Sequence, residues 1–297
     1  MDAWTLGDES VLSLKDKIEK VGKPLKDWDV KIYRGVLTGF NEAFIIDTET
    51  RNRILENCKD EEERKRTEEI IKPVLRGRDI EKYRYKWAGL WIIGTFPAKN
   101  LNIDNYPALK DYLASFGDRL LQDGKPGHRK RTSNKWFETQ DNIAYYPEFE
   151  KEKIVWQHVS GRYEFAYIPA GIYLTNALFM ITGEASILKY LIGILNSKFA
   201  DYLLLLFTNL TKLGQYAYGA KDKIEQLPLP PITKENKPLV DQIIQKVDQI
   251  LTLTQSKDYD TNQAKQEHVK RLEHEIDKLV YKLYGLTEEE IKIIEGG

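Results

Sequence analysis

The sequence predicts an α+β protein: a recognition domain built on a curved, mixed or antiparallel sheet over residues 1–231, followed by a helical hairpin tail over 232–297. Three observations carry this expectation. Short apolar segments of strand length follow one another in irregular order, without the strand–helix alternation that a parallel sheet needs. The stretch "LPLPP", Leu227 to Pro231, favours an extended chain and marks a boundary. Beyond it the apolar spacing is helical only.

Val30 to Asp47 reads as strand, turn, strand, with Gly35 and Gly39 at the breaks. Within it, Thr38 and Asn41 are expected to hydrogen-bond the turn at Gly39. Thr48 to Arg66 is charged and rich in Glu and Arg, the pattern of a surface helix. Pro73 and Gly77 exclude a long helix next, so a short strand leads to an exposed "RGRD". Leu90 to Phe96 is a strongly apolar strand, and Pro107 opens a helix. Lys153 to Val159 alternates as a strand, and further short strands flank Pro169 and Gly171. Glu184 to Phe207 is helical and apolar on most faces. In the tail, Val240, Ile243, Ile244, Val247, Ile250 and Leu251 form one helical stripe. Leu272, Ile276, Leu279, Val280 and Leu283 form a second. Gly285 suits a helix C-terminus, and Thr287 with Glu290 forms a capping box for a last short helix.

Composition narrows the function classes. Charged residues at 31% and hydrophobic residues at 41% fit a folded chain. Cys58 is the single cysteine, so an intrachain disulfide and a cysteine-rich zinc site are excluded. That usage and the absence of a signal-like start lead us to expect a cytoplasmic setting. The apolar run Tyr202 to Phe207 ends a segment interrupted by charges, which reads as a buried helix and not a membrane span. Net charge is −1, yet the charge is unevenly spread. The stretch "GKPGHRKRTSNKW", Gly124 to Trp136, packs five Lys or Arg, a His and a Trp into thirteen residues. A local basic patch beside an aromatic is a nucleic-acid signature even on a neutral chain.

Several chemistries are missing. There is no glycine-rich phosphate loop and no Gly-x-Ser-x-Gly elbow. His268 and His274 are six apart and fall on different helix faces, a poor metal pair. Two Glu-x-Lys triplets, Glu63–Lys65 and Glu290–Lys292, lie in charged helices where such spacing is commonplace. The Asn/Asp-Pro-Pro-Tyr motif of amino-directed methyltransferases is absent, as is a glycine-rich turn for S-adenosylmethionine. We therefore expect no catalytic residue, metal or cofactor in this chain.

Six segments occur in order: "GVLTGFNEAFIID", "IIKPVLRGRDIEKY", "YYPEFEKEKIVWQ", "GIYLTNALFMI", "KYLIGILNSK" and "IEQLPLP". Together with the tail they resemble the TaqI-like C-terminal specificity domain, over roughly residues 4 to 295. The resemblance implies the target-recognition part of a type IIG restriction–modification enzyme, akin to one recognition domain of a type I specificity subunit. It implies double-stranded DNA as partner. It also implies a methyltransferase domain, with or without an endonuclease domain, on the same or a companion polypeptide. That domain would methylate adenine N6 with S-adenosylmethionine, and cleavage would use Mg. The competing reading is a protein–protein adaptor, or a stand-alone specificity subunit, docking a partner through its helical tail.

On the DNA reading, four regions supply candidate contacts. The basic stretch offers Lys125, His128, Arg129, Lys130, Arg131, Asn134, Lys135 and Trp136, on a loop expected to be mobile until DNA orders it. Arginine suits phosphate or guanine, and Asn134 suits adenine. The "RGRD" turn offers Arg76 and Arg78, with Asp79 expected to hold Arg78. The strand end offers Gln157, His158, Arg162 and Tyr163, and the loop Thr211 to Lys221 offers Lys212, Gln215, Tyr216 and Tyr218.

Overall fold

Apolar alternation in the strands dictates the layering of the computed structural model, which describes residues 3–160, 163–208, 217–218 and 221–296. The strands of the two larger sheets are β1 (Val30–Arg34), β2 (Ile45–Asp47), β3 (Ile71–Leu75), β4 (Leu90–Ile93), β5 (Lys153–Gln157), β6 (Ala166–Ile168), β7 (Tyr173–Leu174) and β8 (Leu178–Gly183). The first sheet runs β6-β5-β8-β1, antiparallel throughout. The second runs β7-β3-β4-β2, with β7 parallel to β3 and the other pairs antiparallel. The expected mixed and antiparallel sheet is thus two sheets.

Side chains on a strand alternate between faces, so each sheet feeds two cores. Ile154, Trp156, Phe179 and Ile181 point from the first sheet into a large helical core. Their neighbours Val155, Leu178 and Met180 point the other way, onto Val74, Ile92 and Leu174 of the second sheet. The far face of the second sheet, with Ile46, Ile71 and Ile93, packs on a third core. The result is helices, sheet, sheet, helices.

The longer helices are α1 (Ala3–Val21), α2 (Thr48–Glu56), α3 (Glu61–Ile70), α4 (Pro107–Ala114), α5 (Ala185–Leu195), α6 (Lys198–Thr208), α7 (Lys237–Thr254), α8 (Gln263–Leu283) and α9 (Glu288–Gly296). The third core takes α2, α3 and α4 through Ile54, Ile70, Leu109 and Leu113. The helical core takes Leu14 and Ile18 of α1, then α5, α7 and α8. Both tail stripes are buried there: Val240, Ile243, Val247, Leu272, Ile276 and Val280 pack with Leu191 and Ile194. They are covered by the chain itself, so a partner has no access to them. No described helix is long and apolar enough to cross a membrane.

Three local expectations change. The helix expected over Thr48 to Arg66 is two helices, because Asp60 accepts from the Glu63 N–H at 2.7 Å and opens α3 afresh. The helix expected over Glu184 to Phe207 breaks at Asn196. Its amide bonds both the N–H and the C=O of Phe165, at 3.0 and 2.8 Å, and so acts as a strand partner from a helix end. The two strands in Val30 to Asp47 do not pair; β1 and β2 enter different sheets. The capping box at α9 is present, with Thr287 and Glu290 bonded reciprocally, and Gly285 has φ +62°. Glu63 and Glu290 are accounted for structurally: Glu63 is fully buried and accepts from the Lys59 and Ala108 N–H groups, and Glu290 also pairs with Lys17.

Two sites allow tests of this packing. A Cβ at Gly193 would lie 2.6 Å from Cγ2 of Ile243 and 3.2 Å from Cγ2 of Val247. Gly193→Ala is expected to lower stability by about 2 kcal/mol in urea unfolding, through overpacking of α5 on α7. Lys153 is fully buried at the start of β5 and donates to the carbonyls of Pro169 and Ile172 at 3.0 and 3.2 Å. Burial pulls its pKa from 10.5 down to about 7. Between those values the unfolded chain holds a proton that the folded chain has released, so stability rises with pH there. The penalty is complete below pH 7 and fades towards 10.5. The urea midpoint of the wild type should therefore gain on that of Lys153→Met as pH is raised from 7 to 10, by on the order of 1 kcal/mol per pH unit.

Candidate nucleic-acid interface

The ends of three strands meet at one point. Gly35 follows β1, and its N–H donates to Leu178 O at 2.8 Å. Val36 and Thr175 form a parallel bridge between the sheets, and Thr175 N–H reaches Leu75 O at the end of β3. His158, just past β5, donates its N–H to Ala177 O. The residues that emerge here line a cleft of about 460 Å³: Arg34, Gly77, Arg78, Gln157, His158 and Asn176, with Ala177.

Polar contacts fix most of this lining. Arg34 donates from Nε to Asn176 O at 2.8 Å and lies over the Phe179 ring. Gln157 donates from Nε2 to Gly77 O at 2.7 Å, which ties the "RGRD" turn to β5. Asp79 is buried and takes Arg76 through a bidentate pair at 2.8 and 3.0 Å, and it also accepts the Arg76 N–H. Arg76, not Arg78, is therefore the arginine that Asp79 holds. Arg76 is the internal staple, and Arg78 is left exposed on the lip of the cleft. Burial and the Arg34 cation hold the His158 pKa below its ordinary value, which favours a neutral ring.

The basic stretch divides in the same way. Arg129 is 4% exposed. Its guanidinium donates to Thr38 O at 2.7 Å, Glu138 O at 2.8 Å and Trp136 O at 3.3 Å, over the Phe44 ring. Burial lowers its pKa to about 10. Asn134 gives both amide hydrogens to the carbonyls of Thr139 and Gln140. Trp136 packs edge-on to Phe137 at the rim of the third core. His128 lies 2.7 Å from Asp123, and Lys125 pairs with the same carboxylate. Arg129, Asn134 and Trp136 therefore serve the fold, because the backbone of this loop needs donors that no strand supplies. The loop expected to be mobile is pinned through Gln122, Arg129 and Asn134. Lys125, Lys130, Arg131 and Lys135 remain exposed. Lys135 leans on Glu138, and Arg131 on Asp123 O. Lys130 is an exposed cation of the same loop; burial raises the Asp141 pKa, and the charges of Arg34 and Lys130 oppose that rise.

Tyr163 is buried in the helical core and does not face the cleft. Arg162, Lys212, Gln215 and Tyr216 lie outside the described residues, as does the side chain of Tyr218. The backbone of Ala217–Tyr218 pairs antiparallel with Val159–Ser160, which anchors that second loop just beyond His158. The sequence reading missed Arg34 and Asn176. Arg34 is an isolated cation at a strand end, and only the meeting of the sheets gives it neighbours. Among the described residues, no three His, Cys, Asp or Glu side chains gather as a metal site would.

This division of the loop is testable by stability alone. Arg129→Ala should cost about 3 kcal/mol, by removing three hydrogen bonds and a buried side chain over Phe44, whereas Lys130→Ala should stay within about 0.5 kcal/mol in the same thermal melts.

The TaqI-like C-terminal specificity domain signature matches residues 72–229. That span runs from β3 to the strand before the tail and holds most of the cleft. Over 99% of its length the chain is 21% identical to the type II methyltransferase M.PaeR7I of Pseudomonas aeruginosa, and it spans 45% of that protein. Two solved structures share the fold over 93% of the chain. The type IIL restriction–modification enzyme MmeI, solved in complex with DNA, aligns with TM-score 0.55 at 11% identity over 37% of its length. The type IIG restriction endonuclease BpuSI aligns with TM-score 0.50 at 14% identity over 33% of its length. The chain spans less than half of each relative. With just over half of its residues matching the signature, it belongs to the TaqI-like C-terminal specificity domain family.

Proposed function

We propose that this chain selects the target sequence for a type IIG-like restriction–modification enzyme by binding double-stranded DNA across the Arg34–Arg78–Lys130 face. The observation that carries the reading is the convergence of strand ends from both sheets on a cleft with two exposed arginines. The family, and the DNA complex of MmeI, support the same partner. A notch of about 460 Å³ cannot enclose a duplex. It receives a phosphate or a base edge while the duplex lies over the flanking loops. Arg78 and Lys130 are exposed cations and suit phosphates. Arg34 and Gln157, held by neighbouring carbonyls, are rigid enough to read a base edge.

Adenine methylation, with S-adenosylmethionine, and cleavage, with Mg, belong in this reading to methyltransferase and endonuclease domains on the same or a companion polypeptide. The named activity of M.PaeR7I, of which this chain spans 45%, supports that assignment. Residues 1–231 form the recognition unit, and 232–297 its structural support. A cytoplasmic location suits this work.

The test is fluorescence anisotropy with random-sequence duplex DNA across a salt series. Arg78→Ala and Lys130→Ala should each weaken binding and reduce the slope of log affinity against log salt by about 0.9 for each phosphate that is no longer neutralised. Slopes unchanged in both variants would place the DNA elsewhere.

A further inference from the structure

The "RGRD" turn stands at the base of a small hairpin, Ile80–Glu81 paired with Arg84–Tyr85. The Lys86 N–H closes that base on Asp79 O at 2.8 Å. Three consecutive residues at the hairpin tip each hold the tail. Lys82 pairs with Glu273 of α8 at 2.8 Å. Tyr83 is buried in the helical core with φ +68°, a conformation rare for an aromatic residue. Arg84 lies over the Tyr259 ring at 4.8 Å and pairs with Asp260 at 2.5 Å, both in the loop between α7 and α8. Glu81 and Lys86 complete a network of four charges with Arg84 and Asp260. The tail loop is itself rigid: Gln266 donates to Tyr259 O and Asp260 O, and Lys265 pairs with Asp258.

We infer that the α7–α8 loop is a brace that sets the position of the Arg78 turn, so that the tail takes part in DNA recognition through Tyr259 and Asp260 without touching DNA. The inference rests on the function proposed above. An isolated exposed ion pair contributes little. Here Arg84 is largely buried, the charges form a network, and the strained Tyr83 backbone is held by the burial of its ring. The tip is fastened on one side to the tail and on the other to the first sheet, where the Tyr83 N–H donates to Phe165 O at 2.8 Å beside β6. At its other end the turn is tied to β5 by Gln157, so Arg78 sits between two fixed anchors.

The experiment uses the full chain with Asp260→Ala, Tyr259→Ala and the conservative Asp260→Glu. Hydrogen exchange at the Lys86 amide needs no DNA. It should accelerate about tenfold in the two alanine variants and recover in Asp260→Glu, while the melting temperature changes by only a few degrees. With random-sequence duplex DNA as probe, Asp260→Ala should weaken binding about threefold with an unaltered salt slope, because the same phosphates are still neutralised. In an Arg78→Ala background the same change should have no further effect, since both act through one group. An unaccelerated Lys86 amide overturns the brace, as does full additivity with Arg78→Ala. If the wild type fails to bind duplex DNA, the proposed function falls, and the exchange result alone still decides whether the brace exists.

Discussion

Everything on this molecule's working face depends on one close approach of backbone to backbone. At Gly35 the chain leaves the first sheet and crosses to the second, and a Cβ there would lie 2.1 Å from Thr175 O. Only glycine allows that distance. The crossing hydrogen bonds are Gly35 to Leu178, Val36 to Leu174, Asn176 to Val36 and Thr175 to Leu75. They pair backbone groups at the point where two sheets would otherwise present open edges. The same crossing delivers Arg34, Arg78, His158 and Asn176 to one cleft, because each is within three residues of a crossing strand end. Fold and site are therefore products of a single junction.

Around that junction the protein uses polar side chains as substitutes for secondary structure. Arg129 satisfies three carbonyls, Asn134 two, Asn196 an N–H and a C=O, and Glu63 two N–H groups. Burying such groups is costly unless they are bonded, and each here bonds backbone outside the regular hydrogen-bond ladders. This explains why a long stretch without helix or strand, from Leu121 to Ile143, still has fixed geometry. It also explains why reading that stretch by residue type overestimates its binding surface. An arginine that bonds carbonyls and one that would meet a phosphate are the same letter.

The sequence disclosed what depends on near neighbours. Strand segments, the helix at Pro107, the α9 capping box and the tail's two stripes were all legible, because alternation and caps are set within a few residues. Partner choice was not. Nothing local assigns β1 and β2 to different sheets, or places the Asn196 amide against Phe165. In the candidate site the basic stretch and the "RGRD" turn were found, but the division of labour inside them was not. Arg129 and Lys130 are adjacent, yet one is buried over the Phe44 ring and the other is exposed, a difference made by residues about ninety positions upstream. Arg34 carried no motif and became visible only through the crossing.

The near-neutral net charge takes on meaning in this setting. A uniformly basic protein binds any duplex through counterion release, and that affinity works against selectivity. Several cations near the turn and the loop are matched by carboxylates: Lys125 by Asp123, Lys135 by Glu138, Arg84 by Asp260, Arg76 by Asp79. The cations of the proposed face come from separately anchored elements: Arg34 from the first sheet, Arg78 from the second, Lys130 from the pinned loop. On the proposed function, such a face would give weak general attraction and demand that several groups fit at once, which is the condition for reading sequence over merely holding a polyanion. Since each tip is fastened by bonds below it, the tip residues are free to change while the crossing, the cores and the braces stay as they are. On the proposed function, the scaffold separates the chemistry that folds the chain from the chemistry that chooses its target.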